Sequence, residues 1–163
     1  MTCDRNDMTA SLSKTVLVTG GAGFIGANFL QLLRSQGVPL VNLDKLTYAG
    51  NLASLVALEN DCDYHFVHGD IQDGAMIAEL LNHHRPHAII NFAAETHVDR
   101  SIRDPRAFVE TNVMGTVNLL EAARIFWDEL TVESAREFRF VHISTDEVFG
   151  SLGPEDPAFS ERT

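Results

Sequence analysis

Cysteine is scarce in this sequence of 163 residues, which contains only Cys3 and Cys62. Two thiols cannot form the disulfide framework that stabilises small secreted proteins, and so low a number suits a reducing compartment. A hydrophobic content of 45% supplies enough apolar side chains for one domain with its own core. The sequence therefore predicts a cytoplasmic protein that folds without covalent cross-links.

Basic residues are also few, with 12 lysines and arginines against 23 acidic residues and a net charge of -11. Such a charge repels polyphosphates at long range, which excludes nonspecific binding of nucleic acid or of an anionic membrane surface. No apolar run approaches the ~20 residues that span a bilayer, and residues 1–13 lack the hydrophobic stretch of a signal peptide. We predict a disordered polar tail at 1–13, no membrane partner, and phosphate binding only at a local site.

Short apolar segments alternate with segments of helical periodicity along residues 14–163. The apolar segments predict five strands, at 15–19, 38–43, 64–67, 87–94 and 138–144. The segments between them predict helices at 22–34, 52–58 and 74–84, and a long helix that begins at Pro105. This alternation is typical of α/β proteins in which helices cover both faces of a parallel sheet. Residues 14–163 are therefore predicted to form a Rossmann-like, doubly wound domain that is truncated after about five strands.

The long helix begins with Asp104-Pro105, a suitable cap and first-turn pair. Its residues Val109, Val113, Val117 and Leu120 recur at helical spacing and form one apolar stripe. The simpler interpretation is that this stripe covers the sheet, and the alternative is a two-helix contact between copies of the chain. The sequence leaves both open.

A glycine cluster, VTGGAGFIG at 18–26, separates the first predicted strand from the first helix. Gly21, Gly23 and Gly26 match the dinucleotide-binding pattern, and Gly20, Gly23 and Gly26 are spaced three apart. Glycine permits a tight turn and lets a pyrophosphate approach free N–H groups at the helix N-terminus, which needs no basic side chain. A ligand-free turn would have the same pattern.

The end of the second predicted strand strengthens the dinucleotide interpretation. Asp44 can accept hydrogen bonds from the ribose hydroxyls of the adenosine and repel a 2′-phosphate, which favours NAD over NADP. Lys45 beside it weakens this preference, because its charge could tolerate a phosphate.

Polar residues also follow the third, fourth and fifth predicted strands, at 70–71, 93–96 and 144–147. The carboxyl ends of parallel strands meet at one crevice, where ligands bind in open α/β sheets. Asp146 and Glu147 can serve there as acid and base if their environments separate their pKa values, or they can be solvated loop acids. His97 can contact a substrate or be a hydrogen-bonded loop histidine.

The seven histidines do not predict a metal site. His83, His84 and His87 lie where a helix ends, a favourable position for an imidazolium. No cysteine or acidic residue completes a tetrahedral set around them. We expect no bound metal.

Longer motifs, taken in order, resemble those of the extended short-chain dehydrogenase/reductase family, and within it the NAD-dependent nucleotide-sugar 4,6-dehydratases. They are TGGAGFIG at 19–26, LDKLTYAGNLASL at 43–55, HGDIQD at 68–73, NFAAETHVDRSI at 91–102, FVETNVMGTVNLLEAAR at 108–124 and HISTDEVFG at 142–150. The resemblance covers essentially residues 14–163. The glycine motif belongs to the whole superfamily, whereas DKLTYAGN, AAETHVDRSI and the Thr-Asp-Glu triplet are more specific to the dehydratases.

The resemblance, together with the glycine motif, implies NAD as the cofactor and a nucleotide sugar, with dTDP-glucose expected, as the substrate. Thr145, Asp146 and Glu147 match catalytic positions, with Asp146 the general acid and Glu147 the general base, and Thr96, His97 and Thr145 are the expected substrate contacts. The expected NAD contacts are Gly20, Gly23, Phe24, Ile25, Gly26, Asp44, Lys45, Leu46, Thr47, Asp70, Ile71, Phe92, Ala93, Ala94, Glu95, Thr96 and Thr111.

The implied reaction oxidises C4 of the sugar by hydride transfer to NAD, eliminates water across C5 and C6, and returns the hydride to C6. The family also uses a Tyr-x-x-x-Lys motif after the Asp-Glu pair, but Tyr48 and Tyr64 are followed four residues later by Leu52 and His68. We interpret the sequence as the N-terminal part of such an enzyme, inactive alone and homodimeric when complete. The alternatives are another NAD-dependent nucleotide-sugar epimerase or decarboxylase, which the Thr-Asp-Glu triplet disfavours, and a non-catalytic NAD-binding module.

Overall fold

A five-stranded sheet, parallel throughout, forms the centre of the computed structural model, which describes residues 14–163. The predicted tail at 1–13 lies outside the described residues. The strands are β1 (Val16–Thr19), β2 (Leu40–Asp44), β3 (Tyr64–His68), β4 (Ala88–Asn91) and β5 (Arg139–His142). Their order is β3-β2-β1-β4-β5, so the chain reverses its direction of winding between β1 and β4. This order matches five of the six strands of a doubly wound sheet and confirms the predicted fold class.

Helices cover both faces of the sheet, because alternate residues of the central strands point to opposite sides. Val16 and Val18 of β1 pack in a cluster with Leu30 of α1 (Phe24–Ser35) and Leu55 of a 3-10 helix (Leu52–Leu58). Leu17 faces the other way and belongs to a second cluster. That cluster contains Ile77 of α2 (Gly74–His84) and Leu119 of α5 (Thr116–Asp128). β1 is buried along its whole length, as expected of a central parallel strand.

The helix α2 has the bounds that the sequence predicts, and the Asp73 carboxylate caps it by accepting a hydrogen bond from the Met76 backbone N–H at 3.0 Å. Two short helices, α3 (Val98–Arg103) and α6 (Val132–Glu137), were not predicted. The apolar segments at 87–94 and 138–144 are longer than β4 and β5, because their last residues leave the sheet. None of the helices that residues 14–163 form is long and apolar enough to cross a bilayer.

The predicted long helix is three consecutive segments: α4 (Pro105–Phe108), a π-helix (Val109–Gly115) and α5. Asp104 precedes α4, but its side chain makes no capping hydrogen bond, so that part of the prediction is wrong. The π-helical turn ends at Gly115, where an added Cβ would lie 2.6 Å from the Ile71 side chain. The missing side chain lets the helix approach the segment that follows β3.

The apolar stripe of the long helix faces outward, which overturns its interpretation as the face that covers the sheet. Val109, Val113, Val117 and Leu120 are 53%, 52%, 45% and 48% exposed. The residues that pack on the sheet are instead Leu119, Ala123 and Phe126. The helix carries apolar residues on two faces, and sequence periodicity alone does not distinguish the inner one.

Candidate active site

The glycine turn packs so closely that Gly20 and Gly26 leave no room for a side chain. Gly20 has a φ of +71°, and an added Cβ would lie 2.6 Å from the Ala93 nitrogen. A Cβ on Gly26 would collide with the carbonyl oxygen of Gly20 and lie 2.7 Å from the Gly21 Cα. The turn therefore packs directly against the segment that follows β4 on one side and against the first turn of α1 on the other.

The N-terminus of α1 opens from this turn toward solvent. Gly23 is the N-cap residue, and no side chain caps the helix. Phe24 and Ile25 begin the helix with exposed side chains. The first N–H groups of a helix have no intrahelical acceptor and carry a partial positive charge, so they can bind an anion such as a pyrophosphate.

Asp44 ends β2 with a buried side chain that connects three segments. Its Oδ2 accepts a hydrogen bond from the Ala22 N–H at 2.8 Å, and its Oδ1 accepts one from the Leu46 N–H at 2.8 Å. Leu46 follows with a φ of +53°, an uncommon conformation for this residue type that the second bond holds in place. Because a carboxylate can accept about four hydrogen bonds, Asp44 still has lone pairs for ribose hydroxyls.

Lys45 is already engaged by an acid. Its Nζ lies 2.5 Å from Asp70 Oδ2, and both residues follow neighbouring strands of the sheet. This ion pair reduces the charge that Lys45 could offer to a 2′-phosphate. The geometry therefore weakens the argument that the charge of Lys45 would allow NADP to bind.

Most of the predicted cofactor residues line one groove along the carboxyl edge of the sheet. Those that do are Gly20, Gly23, Asp44, Lys45, Thr47, Asp70, Ile71, Phe92, Ala93, Ala94, Glu95 and Thr111. Phe24 and Leu46 are adjacent in the chain to lining residues, Ile25 and Gly26 follow Phe24 on α1, and Thr96 lines a neighbouring cleft. Leu43, Ala49, Gly50 and Gly69 also line the groove and were not predicted, although they lie within or beside the same motifs.

Two asparagines that sequence reasoning missed hold the segment after β4 in place. The side-chain oxygen of the buried Asn91 accepts hydrogen bonds from the Thr19 hydroxyl and from the Ala93 N–H, and its amide nitrogen lies 3.0 Å from His142 Nδ1. Asn112, in the π-helix, accepts from the Glu95 N–H at 2.8 Å and donates to the Glu95 carbonyl at 2.9 Å. An asparagine at the end of an apolar strand was the available signal for the first of these.

Thr145, Asp146 and Glu147 lie together just after β5. Thr145 precedes a 3-10 helix (Asp146–Phe149), where its hydroxyl oxygen accepts from the Glu147 N–H and donates to Asp146 Oδ1, both at 3.3 Å. All three residues are exposed. They line a cleft of about 690 Å³ together with Thr96, and this cleft shares Ala93, Ala94 and Glu95 with the groove.

His97 lines neither the groove nor the cleft. Its ring instead packs edge-on against the Tyr48 ring, with 6.2 Å between the centroids. His97 thus lies outside the cleft that is lined by Thr96 and Thr145, the two residues with which it was expected to contact the substrate.

His84 does not have the environment that the end of a helix was expected to give it. Partial burial lowers the pKa of His84, and the neighbouring His83 and His65 lower it further. The favourable helix terminus is therefore outweighed, and the expectation of a stabilised imidazolium is wrong for this residue.

The parallel sheet, the glycine turn and the groove beside a Thr-Asp-Glu triplet define the class: a Rossmann-like dinucleotide-binding α/β protein with an adjoining cleft. A family model described as GDP-mannose 4,6 dehydratase matches residues 17–163. The chain belongs to this family.

Curated proteins and solved structures narrow the similarity. The chain is 57% identical over 149 residues to a dTDP-glucose 4,6-dehydratase of Xanthomonas campestris pv. campestris, covering 91% of this chain and 42% of the relative. The crystal structure of the Bacillus anthracis dTDP-glucose 4,6-dehydratase in complex with NAD matches with a TM-score of 0.74 and 40% identity, over 91% of this chain and 42% of that one. The Streptomyces venezuelae enzyme, a double mutant with NAD and DAU bound, gives 0.76 and 43% over 90% and 44%. The chain thus spans less than half the length of these relatives.

Proposed function

We propose that this chain supplies the NAD-binding site and the acid–base pair of a dTDP-glucose 4,6-dehydratase. The observation that carries the proposal is the continuity of the groove with the cleft that holds Thr145, Asp146 and Glu147, through the shared wall 93–95. A sugar seated in the cleft would therefore lie beside one end of a dinucleotide seated in the groove. The similarity to dehydratases, two of them solved with NAD, supports the same assignment.

The residues present fit NAD at three points. Gly20 and Gly26 leave no room for a side chain, so backbone amides line the turn, and α1 offers its uncapped N-terminus to the pyrophosphate. Asp44 is held in place by two backbone N–H groups and offers its remaining lone pairs to the ribose. Lys45 is paired with Asp70, which leaves little charge for a 2′-phosphate.

When bound, NAD would accept a hydride from the sugar and later return it. The chain's own part is the elimination between these steps. Oxidation at C4 acidifies the C5 proton, which Glu147 would remove, while Asp146 would protonate the hydroxyl that leaves C6. Thr145 donates to the Asp146 carboxylate, which it would orient, and accepts from the Glu147 backbone N–H, which holds the segment that carries Glu147. Adjacent acid and base groups at one strand end suit a reaction that needs both at neighbouring carbons.

The cofactor assignment is tested on the chain as it stands. Calorimetric titration with NAD should show saturable binding in the micromolar range, with NADP binding more weakly because Asp44 would face its 2′-phosphate. Circular dichroism before the titration establishes that the chain is folded. A folded chain that binds no NAD, or binds NADP as tightly, would contradict the proposal.

The catalytic roles are tested in an enzyme that carries this segment together with the Tyr-x-x-x-Lys motif. Glu147→Gln should still oxidise C4 but should lose exchange of the C5 proton with deuterated solvent, with turnover falling about 10²-fold or more. Asp146→Asn should keep the exchange and lose elimination, which separates the two roles. Glu155→Gln, an exposed acid beyond the triplet, is the control. Normal turnover in Glu147→Gln would remove it as the base.

We propose further that the enzyme is a cytoplasmic homodimer. The stripe formed by Val109, Val113, Val117 and Leu120 supports this. Its four apolar side chains lie on the same side of the long helix and are exposed to solvent. A second copy of the same helix would bury them symmetrically. The two cysteines of the sequence suit the reducing cytoplasm.

A further inference from the structure

Tyr48 belongs to the loop that follows β2, yet its ring lies against residues that follow β4. The Arg100 guanidinium stacks over the Tyr48 ring at 3.9 Å from the centroid, and His97 packs against the edge of the same ring. Arg100 is on α3, the short helix that was not predicted. Neither Tyr48 nor Arg100 has a place in the catalytic or cofactor-binding set described above.

The two strands concerned lie on opposite sides of β1. β2 pairs with one edge of β1 and β4 with the other, and the glycine turn follows β1 between them. A contact between the loop after β2 and the segment after β4 must therefore cross in front of the glycine turn. The same two segments form facing walls of the groove, through Thr47, Ala49 and Gly50 on one side and Ala94 and Glu95 on the other.

Each wall is held rigidly at its base. On the β2 side, the Leu46 N–H bonds to Asp44, the Gly50 N–H to the Thr47 carbonyl at 3.0 Å, and the Asn51 N–H to the Ala22 carbonyl at 2.9 Å. On the β4 side, Asn112 bonds both backbone groups of Glu95. The tips, by contrast, are exposed and joined by the Tyr48 ring. Rigid bases with an exposed contact between the tips suit a closure that can open without disturbing the site.

Within residues 14–163, the Arg100 guanidinium forms no ion pair, although acidic residues are abundant in the chain. The nearby Asp99 lies on the same short helix and is not paired with it. The ring of Tyr48 is thus the partner that fixes the guanidinium, by a cation–π interaction.

We propose that Tyr48 and Arg100 form a clasp that closes over the dinucleotide in the groove and slows its release. The inference rests on the proposed NAD site and adds to it two positioning residues that touch each other across the groove. A cofactor that is reduced and reoxidised within one turnover must stay bound throughout. A clasp between the two walls would retain the dinucleotide without recognising its nicotinamide or its adenosine.

The expected effect is kinetic and modest. An exposed cation–π pair corresponds to about a two- to fivefold change in an equilibrium constant. Arg100→Met and Tyr48→Leu should each raise the dissociation rate of etheno-NAD, chased with excess NAD, by about two- to fivefold in the 163-residue chain. The double variant should release it no faster than either single variant, because one interaction is lost in all three. Tyr48→Phe keeps the ring and should release at the wild-type rate.

Arg103→Met is the matched control, since Arg103 carries the same charge on the same helix but is not the arginine that stacks on the Tyr48 ring. It should leave the rate unchanged, and a cooperative urea transition in each variant establishes that the variant is folded. If wild type binds NAD but Arg100→Met and Tyr48→Leu release it at the wild-type rate, the clasp is overturned and the proposed NAD site stands. The same conclusion follows if the effects of the two single variants add fully in the double variant. If Arg103→Met accelerates release equally, the effect belongs to helix charge and the clasp is likewise overturned. If folded wild type binds no NAD, the proposed function fails and the clasp fails with it.

Discussion

The carboxylate of Asp44 and the backbone N–H of Ala22 are hydrogen-bonded at 2.8 Å, which ties the end of β2 to the glycine turn after β1. The residue that sequence reasoning assigned to the ribose is thus also a structural anchor. Its second oxygen anchors the following loop through Leu46. Under the proposed function, the shape of the glycine turn and the preference for NAD would therefore depend on the same carboxylate.

We expect Asp44→Asn to lower both the stability of the chain and its affinity for NAD. An asparagine can accept only one of the two hydrogen bonds and turns an NH₂ group toward the other N–H, so the free energy of unfolding should fall by about 1–3 kcal/mol. NAD affinity should fall as well. Urea unfolding and calorimetric titration measure the two effects. Asp73→Asn is the control, because asparagine caps α2 about as well as aspartate does. Wild-type stability in Asp44→Asn would refute the anchoring role.

Gly26→Ala is expected to destabilise the chain by about 1–3 kcal/mol or more, because its Cβ would collide with the Gly20 carbonyl and the turn must shift. The shift should also reduce NAD affinity. Gly74→Ala provides the comparison: nothing lies within 4 Å of an added Cβ at the start of α2, and stability should rise slightly. Equal unfolding midpoints for the two variants would show that the turn tolerates a side chain.

The fold, and the grouping of many predicted residues along one groove, could be predicted because both depend on local signals. A β-branched run before a glycine cluster predicts β1 and the turn that follows it. The position of Asp44 at the end of the second apolar run predicts that it lies at the carboxyl edge of the sheet. These residues act through neighbours in the chain or through the parallel order that the alternation of elements implies.

The contacts that sequence reasoning missed join residues far apart in the chain. Asn112 bonds the backbone of Glu95, and Arg100 stacks on Tyr48, and nothing in the local sequence around either pair specifies the partner. The outward stripe of the long helix was misassigned for a related reason. Its helix has apolar residues on two faces, and only the packing of Leu119, Ala123 and Phe126 identifies the inner one.

Stability should fall in mild acid through His84. The pKa of His84 is lowered in the folded chain, mainly by burial, whereas in the unfolded chain it is about 6.5. The unfolded state therefore binds the proton more readily, so this contribution is fully present above about pH 6.5 and is lost as the pH falls through the folded-state pKa. His84→Gln should flatten that part of the curve in urea unfolding at a series of pH values. An unchanged curve in His84→Gln would assign the pH dependence to other groups.

Val117→Glu tests whether the outward stripe is an interface between copies. In a dimer the new carboxylate would be buried without a partner, which is strongly unfavourable, so the dissociation constant from sedimentation should rise at least tenfold. Val56→Glu adds the same charge at another exposed valine, on the 3-10 helix beneath the opposite face of the sheet, and should leave association unchanged. The measurement is made on the enzyme that carries the Tyr-x-x-x-Lys motif. If Val117→Glu lowers the stability of that enzyme but leaves it dimeric, the stripe is covered by another part of the same polypeptide, because only an intramolecular contact would be lost while the subunits stay together.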